Sequence, residues 1–415
     1  MTDRDFDVAI VGASIAGCTA ATFLGRQGAR VALIESHSDP KVHKRICTHA
    51  MQASSAPTIE RLGLLDAVTR MAMQSELNAW SRYGWISPSR NYTRRLESSK
   101  YHGLNLRRER FDPMLRELAA GTEGVELMLG HTATALLREG KRTSGVSVRD
   151  RDGSEQTLSA ELVVGADGRG SGIAELAGQR TKTKPNNRFA YFAYYRDTPL
   201  VTGSSAQIWF MDPDMAYAFP TDGGLTLLAC LPHKDRLAEF KQDPEACMAR
   251  MYELLPDGPR LDPAKRESKI LGKLDYPTER RSPAGAGVAL VGDAALASDP
   301  LWGIGCGWAL QSAEWLAEAV GPALGDEARL DRALKSYARR HRKALAGHDR
   351  ISVAFSKARK LTPPEKLFFR AAARDDELAG TFALFGERWI RPQQMLTPGT
   401  FGRIFKANFA AARRR

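Results

Sequence analysis

The sequence predicts an α/β chain. A parallel, Rossmann-like sheet with an added β-meander is interleaved with an antiparallel sheet and followed by a helical C-terminal segment. Three observations predict this. An apolar run, a glycine turn, a helix-spaced run of small residues and a second apolar run fill the first 35 positions. Two later stretches switch to short strand-like runs separated by turn signals. From Asp326 onward the pattern is again helical.

The elements follow in order. Asp7–Val11 (DVAIV) is the first strand and Gly12 bounds it at once. GASIAGCTAATFLGRQGA is the helix, closed by Gly28, and Arg30–Glu35 is the next strand. Strand, turn, helix and strand make a right-handed βαβ unit. Between Val125 and Val164, turn signals at Glu139-Gly140 and Asp152-Gly153 separate short strands. They read as a meander returning into a buried parallel strand at Ala160–Gly165. Arg188–Tyr195, Ala206–Trp209, Met215–Phe219 and Leu225–Leu231 suit an antiparallel sheet with one face covered. Gly287–Gly292 is a further apolar run and Gly307–Val320 a helix. Pro363-Pro364 and Pro398-Gly399 are expected to break the C-terminal helices.

Composition bounds the function. With 415 residues, 43% apolar and 26% charged, the chain is an ordinary globular mixture, which excludes disordered and collagen-like classes. It is long enough for two or three domains and for a cofactor-sized cavity. The five cysteines are scattered without a CxxC, so neither a disulfide framework nor structural zinc is expected. The acidic N-terminus leaves no room for a signal peptide and no apolar stretch reaches membrane-spanning length, so a cytoplasmic protein is expected. The net charge is +12, and from Asp326 to Arg415 there are 21 Lys+Arg against 9 Asp+Glu. The whole surplus therefore lies in that segment and the rest balances. No nucleic-acid motif accompanies it, and nucleic-acid binding is not expected.

The first candidate site is Gly12-Ala-Ser14-Ile15-Ala16-Gly17. Small residues let the chain turn tightly and bring backbone N–H groups against a pyrophosphate at a helix N-terminus. Glu35, with Ser36 beside it, ends the second strand, where a carboxylate accepts hydrogen bonds from ribose hydroxyls. Ser14 stands where the usual motif has its middle glycine. The pattern predicts dinucleotide binding without separating NAD from FAD.

Two further motifs separate them. Gly165-Ala166-Asp167-Gly168-Arg169-Gly170-Ser171 and Gly292-Asp293-Ala294-Ala295 each follow a strand. With the first motif and Arg108-Glu-Arg-Phe111-Asp112, the chain from Phe6 to about Val320 resembles the FAD-dependent aromatic hydroxylase superfamily. That superfamily includes para-hydroxybenzoate hydroxylase-type monooxygenases, geranylgeranyl reductases and flavin-dependent halogenases. The resemblance implies an FAD-binding domain in three parts (1–75, 101–180 and 276–325). A substrate domain would comprise 76–100 and the antiparallel sheet of 181–275, with a basic helical segment at 326–415. It implies that Asp293 bonds the ribityl or pyrophosphate-side hydroxyls of FAD and that Arg108 approaches its ribose or phosphates. Arg45 would lie near the pyrophosphate and the mobile flavin, and Asp167 would be chiefly structural while helping to position NADPH or FAD among the cofactor-binding residues. Asp299-Pro300 would set a turn, and the loop through Gly303, Ile304, Gly305 and Cys306 would run along the flavin N1–O2 edge. The dipole of the next helix would stabilise the reduced ring there. Cys306 is expected to be a small packing residue, since no second cysteine is near it in sequence.

The activity implied is an FAD- and NAD(P)H-dependent monooxygenase that uses O2, through a flavin C4a-hydroperoxide, on an apolar or aromatic small molecule. A reductase of geranylgeranyl type is the alternative. A halogenase is disfavoured: Met215-Ala-Tyr217-Ala-Phe219-Pro220 keeps the proline of the halogenase Trp-x-Trp-x-Ile-Pro segment and loses both tryptophans. Phe189, Tyr191, Phe192, Tyr194, Trp209, Tyr217 and Phe219 are the candidate pocket wall, although alternation lets only half face one side. Trp302 joins them from the flavin loop. His49 is the nearest candidate base by chain position, against an ordinary reading as a core or surface histidine. Cys47 and His49 are too few to make a metal site. The basic, phenylalanine-bearing stretch Phe401–Arg415 suits contact with an acidic carrier protein or an anionic membrane, or is simply a solvated helix face.

Overall fold

The structure, a computed structural model, describes residues 4–75, 77–87, 101–300 and 303–412. Its larger sheet has eight strands. Five form its parallel centre, in the order Val288–Leu290, Glu155–Gly165, Phe6–Val11, Val31–Glu35 and Val125–Leu129. The apolar runs read from the sequence lie here because both faces are covered: Val8 to Ile10 and Val31 to Ile34 are wholly buried. The strand Glu155–Gly165 does two jobs. Up to Ser159 it pairs antiparallel with Arg142–Arg149, and from Ala160 it pairs parallel with Phe6–Val11. That switch is how the meander enters the sheet.

On one face lie helices α1 (Ile15–Gly25), α2 (Arg108–Ala120) and α3 (Gly305–Val320). They share a core that includes Ile15, Leu24, Phe111, Leu115, Leu310 and Leu316. The meander residues Val146, Val148 and Leu158 join Ile173 over the opposite face.

The second sheet has seven strands in the order Leu271–Lys273, Ala190–Arg196, Leu225–Leu231, Met215–Thr221, Ala206–Phe210, Leu77–Ser81 and Gly84–Ile86. One pair, Ala206–Phe210 with Leu77–Ser81, is parallel. The expectation of one covered face is corrected. Every residue of Ala206–Phe210, Met215–Thr221 and Leu225–Leu231 is buried. Trp209, Tyr195 and Leu228 pack with Phe240, Met248 and Tyr252 on one side, while Phe210, Tyr217 and Phe219 meet Phe369 and Phe382 on the other.

The C-terminal segment is therefore part of the core rather than an appendage. It forms α4 (Glu327–Ser356), α5 (Pro363–Ala372), α6 (Asp376–Gly386) and α7 (Pro398–Ala412), besides one short helix. Tyr337 Oη donates to Leu290 O at 2.6 Å and fastens α4 to the parallel sheet. The helical pattern does break ahead of Pro363 and Pro398, since α4 ends at Ser356 and the short helix Pro392–Met395 ends before Pro398, and each proline then begins the next helix. At the first helical position a missing N–H costs nothing, and Thr362 with Glu365 closes a capping box ahead of α5. Along α7, Phe401, Phe405 and Phe409 point outward. Among the described residues, no helix is long and apolar enough to cross a membrane, and no group of three or more His, Cys, Asp or Glu is placed to hold a metal.

Candidate functional site

The turn after the first strand is built for close approach. Gly12 has φ +105°, and a Cβ there would meet Ala166 O at 2.5 Å; a Cβ on Gly17 would meet Gly12 O at 1.7 Å. The N-terminus of α1 is thereby pressed against the strand end, and no side chain caps it. Glu35 Oε2 accepts from Ala13 N at 3.0 Å, and its Oε1 takes His37 N at 3.0 Å and the His37 ring at 2.8 Å. Burial works against the charge of Glu35, yet these His37 and Ala13 contacts hold its carboxyl below the usual range. Arg116 braces the turn from behind, with Nε donating to Ala13 O and Nη2 to Val42 O, both at 3.1 Å.

Deeper in, Arg108 is held chiefly by Asp112 and Ser14. Nε donates to Asp112 Oδ1 at 2.5 Å, and Nη2 donates to Asp112 Oδ2 at 2.9 Å and to Ser14 Oγ at 2.6 Å. Burial alone would weaken its charge, but Asp112 outweighs burial and keeps the guanidinium protonated. Lys44 Nζ reaches Asp293 Oδ2 at 3.0 Å from a half-exposed position. Against its own burial, Asp293 is held below the usual carboxylate range by Lys44 and Arg169. The N-terminus of α3 arrives beside them, again without a side-chain cap. Gly303, at φ +61°, admits Ala50, which a Cβ would meet at 2.8 Å.

These groups open onto one cavity of about 820 Å3, toward the large end of the roughly 300–1,000 Å3 usual for small-molecule sites. Gly12, Ser14, Ile15, Ala16, Glu35, Ser36, Arg108, Asp167, Asp293, Pro300, Gly303, Ile304, Gly305, Cys306 and Tyr217 all line it. So do Ala190, Phe192, Leu227, Ala229 and Leu231, so the wall passes from the parallel sheet to the antiparallel one. Asp167 lies on the wall but its carboxylate is spent locally, on Ser171 Oγ at 2.6 Å and Ile173 N at 2.9 Å.

Several expected residues are elsewhere. Gly17 and Gly292 pack behind the wall; Gly292 N donates to Ser312 Oγ at 2.9 Å. Arg45 is exposed and off the cavity, and its neighbour Lys44 is the cation that turns inward. Tyr191 and Trp209 point to the opposite face of the antiparallel sheet, where Tyr191 stacks on Phe240 at 5.8 Å and Trp209 Nε1 donates to Pro256 O at 2.9 Å. Phe219 shares the face of Tyr217 but lies beyond the cavity, at 5.3 Å from the Tyr217 ring. Trp302 lies outside the described residues.

His49 is buried at φ +62° and is unsuited to the role of base. Its Nδ1 accepts from Arg108 N at 3.1 Å, which leaves Nε2–H to donate to Tyr194 Oη. Both ring nitrogens are engaged, and neither His49 nor Tyr194 lines the cavity. Cys306 packs in the apolar core as expected, and Cys47 Sγ lies 3.7 Å from its Sγ across 259 residues of sequence. Lys44 and Arg116 carry no sequence signal as site residues, because only tertiary structure brings their loop and helix to the wall.

The donor set fits FAD. A carboxylate stands where ribose hydroxyls would bind, an uncapped helix end and cations stand where phosphates would, and an apolar wall lies beyond. The family of FAD-binding domains matches residues 5–348. The chain is similar to a kynurenine 3-monooxygenase of Salinispora arenicola, 26% identical over 410 residues and covering 94% of this chain and 87% of that protein. It is also 25% identical over 355 residues to a tryptophan 2-halogenase of Chondromyces crocatus, covering 80% of this chain but only 64% of the relative's length. Among solved structures, the p-nitrophenol 4-monooxygenase of Pseudomonas putida shares its fold, with a TM-score of 0.74, 20% identity and coverage of 93% of this chain and 98% of that one. The chain thus belongs to the family of FAD-binding domains.

Proposed function

We propose that the protein is an NAD(P)H-dependent monooxygenase that inserts one atom of O2 into an apolar or aromatic small molecule. One observation carries this reading. A single cavity joins the dinucleotide-type end, at Gly12 and Glu35, to a wall of Phe192, Tyr217, Leu227, Ala229 and Leu231, so cofactor and substrate share one enclosure. Bound FAD supplies the redox chemistry and the activation of O2. The residues bind and shield. Glu35 orients the ribose, and the N-terminus of α1 faces the pyrophosphate. Arg108, fixed by Asp112 and Ser14, offsets phosphate charge, while Asp293 accepts hydroxyl donors beside Lys44. The α3 N-terminus favours negative charge on the reduced ring. The apolar wall excludes water from the reacting centre.

The test is a screen of aromatic and polyketide-like compounds for stimulated NAD(P)H consumption, followed by mass spectrometry under 18O2. Substrate-dependent consumption with 18O in the product is expected. Turnover with no label would sustain a reductase instead. Because a tryptophan 2-halogenase is among the relatives, chloride and bromide are included, and a halide-dependent product without 18O would replace the monooxygenase reading.

A further inference from the structure

On the wall of the cofactor cavity, where Cys47 Sγ and Cys306 Sγ lie 3.7 Å apart, the geometry points to an oxidisable dithiol, which we propose hydrogen peroxide converts into a Cys47–Cys306 disulfide. The two thiols lie 259 residues apart in sequence. Cys47 sits in the irregular segment between Glu35 and Ala50, whereas Cys306 lies in the first turn of α3. A disulfide needs its sulfurs about 2.05 Å apart, so the pair must close by under about 2 Å. The loop is free of helix and strand and supplies that movement; the helix end stays fixed.

The surroundings assign the two roles. Cys47 Sγ accepts from His49 N at 3.3 Å and lies 3.9 Å from Arg108 Nη1. The Cys306 thiol, the His49 contact and the nearby Arg108 charge hold Cys47 well below an ordinary thiol, although burial opposes them. Cys306 is pushed the other way by its bond to Cys47 and by burial. Cys47 is the attacking thiolate and Cys306 the resolving thiol.

In the first step the Cys47 thiolate attacks one peroxide oxygen. An S–O bond forms, the O–O bond breaks and hydroxide leaves to be protonated by solvent. Cys47 is oxidised by two electrons to a sulfenic acid. In the second, Cys306 loses its proton and attacks Cys47 Sγ, so that an S–S bond forms, the S–O bond breaks and a second water departs. Two thiols and one peroxide become one disulfide and two waters. The product staples the loop carrying Lys44 to the N-terminus of α3 along the cavity wall.

The flavin-loaded protein is pulsed with equimolar hydrogen peroxide, alkylated, and digested without reductant. The expected result is a Cys47–Cys306 cross-linked peptide, two hydrogens lighter than its parts and split by dithiothreitol. Cys18 and Cys230, whose thiols burial pushes up, remain unmodified. In Cys306→Ser the sulfenic acid has no resolving partner and dimedone is expected to label Cys47. In Cys47→Ser, Cys306 is expected to stay reduced. The proposal is overturned if peroxide leaves both wild-type thiols free, or if Cys47 is oxidised without pairing to Cys306.

Discussion

At the scale of single residues, the site is held by charges that burial alone would neutralise. Arg108 and Asp112 show the logic. Their side chains are 6% and 1% exposed, and each is tolerable only because the other is present. Arg108→Met should therefore cost about 3 kcal/mol by stranding Asp112, read by urea denaturation, as well as weakening FAD uptake. Asp112 was legible as part of a motif, but its function as the partner of Arg108 and as acceptor for Lys44 N at 3.2 Å was not. A helical spacing of four shows that Arg108 and Asp112 are neighbours, and says nothing of the loop that closes over them. Arg45 and Lys44 make the same point. The sequence marks a basic loop, while the backbone path decides which of two adjacent cations turns inward. Pairing Cys47 with Cys306 was likewise beyond sequence reasoning, because nothing local links positions 259 residues apart.

Elements were more legible than side chains. The βαβ unit, the meander and the antiparallel strands all form, since each was marked by apolar periodicity and turn residues. Facing direction was not: in a sheet covered on both sides, alternation leaves Tyr191 and Trp209 indistinguishable from Phe192 and Tyr217. Close packing of α1 on its strand gives a sharp expectation. Gly17→Ala puts a methyl group into Gly12 O, and should destabilise the protein by about 2 kcal/mol or more and strip its flavin, read by urea denaturation and by flavin absorbance after purification. Helix α4 gives another. Burial lowers both His341 and His348 to about 4. Their folded values lie below the ordinary 6.5, so the unfolded chain binds more protons as pH falls from 6.5 to 4. Stability from these sites is complete above pH 6.5 and falls by up to about 3 kcal/mol per histidine across that window. Urea midpoints at pH 8 and pH 5 should differ, and His341→Gln with His348→Gln should narrow the difference.

In the whole molecule, two sheets of different construction share one cavity, and the basic C-terminal helices help to build the wall behind the second sheet. Those helices were read from the sequence as a separate basic segment because charge is counted on surfaces, whereas Phe369 and Phe382 act in the core. The division of labour between sheets can be separated experimentally. Ala229 lines the apolar wall beside Tyr217, its partner on the neighbouring strand, so Ala229→Phe should fill that end. Flavin content should be retained while substrate-stimulated NAD(P)H oxidation falls at least tenfold.

That the cavity takes FAD along its length is tested most directly by titrating FAD into flavin-stripped protein and following flavin fluorescence, for the wild type, Glu35→Ala and Asp293→Ala. One FAD per chain is expected, with Kd raised at least tenfold in each variant, since the two carboxylates lie at different points of the same cavity. Failure of the wild type to take up FAD, or uptake indifferent to both substitutions, would contradict it.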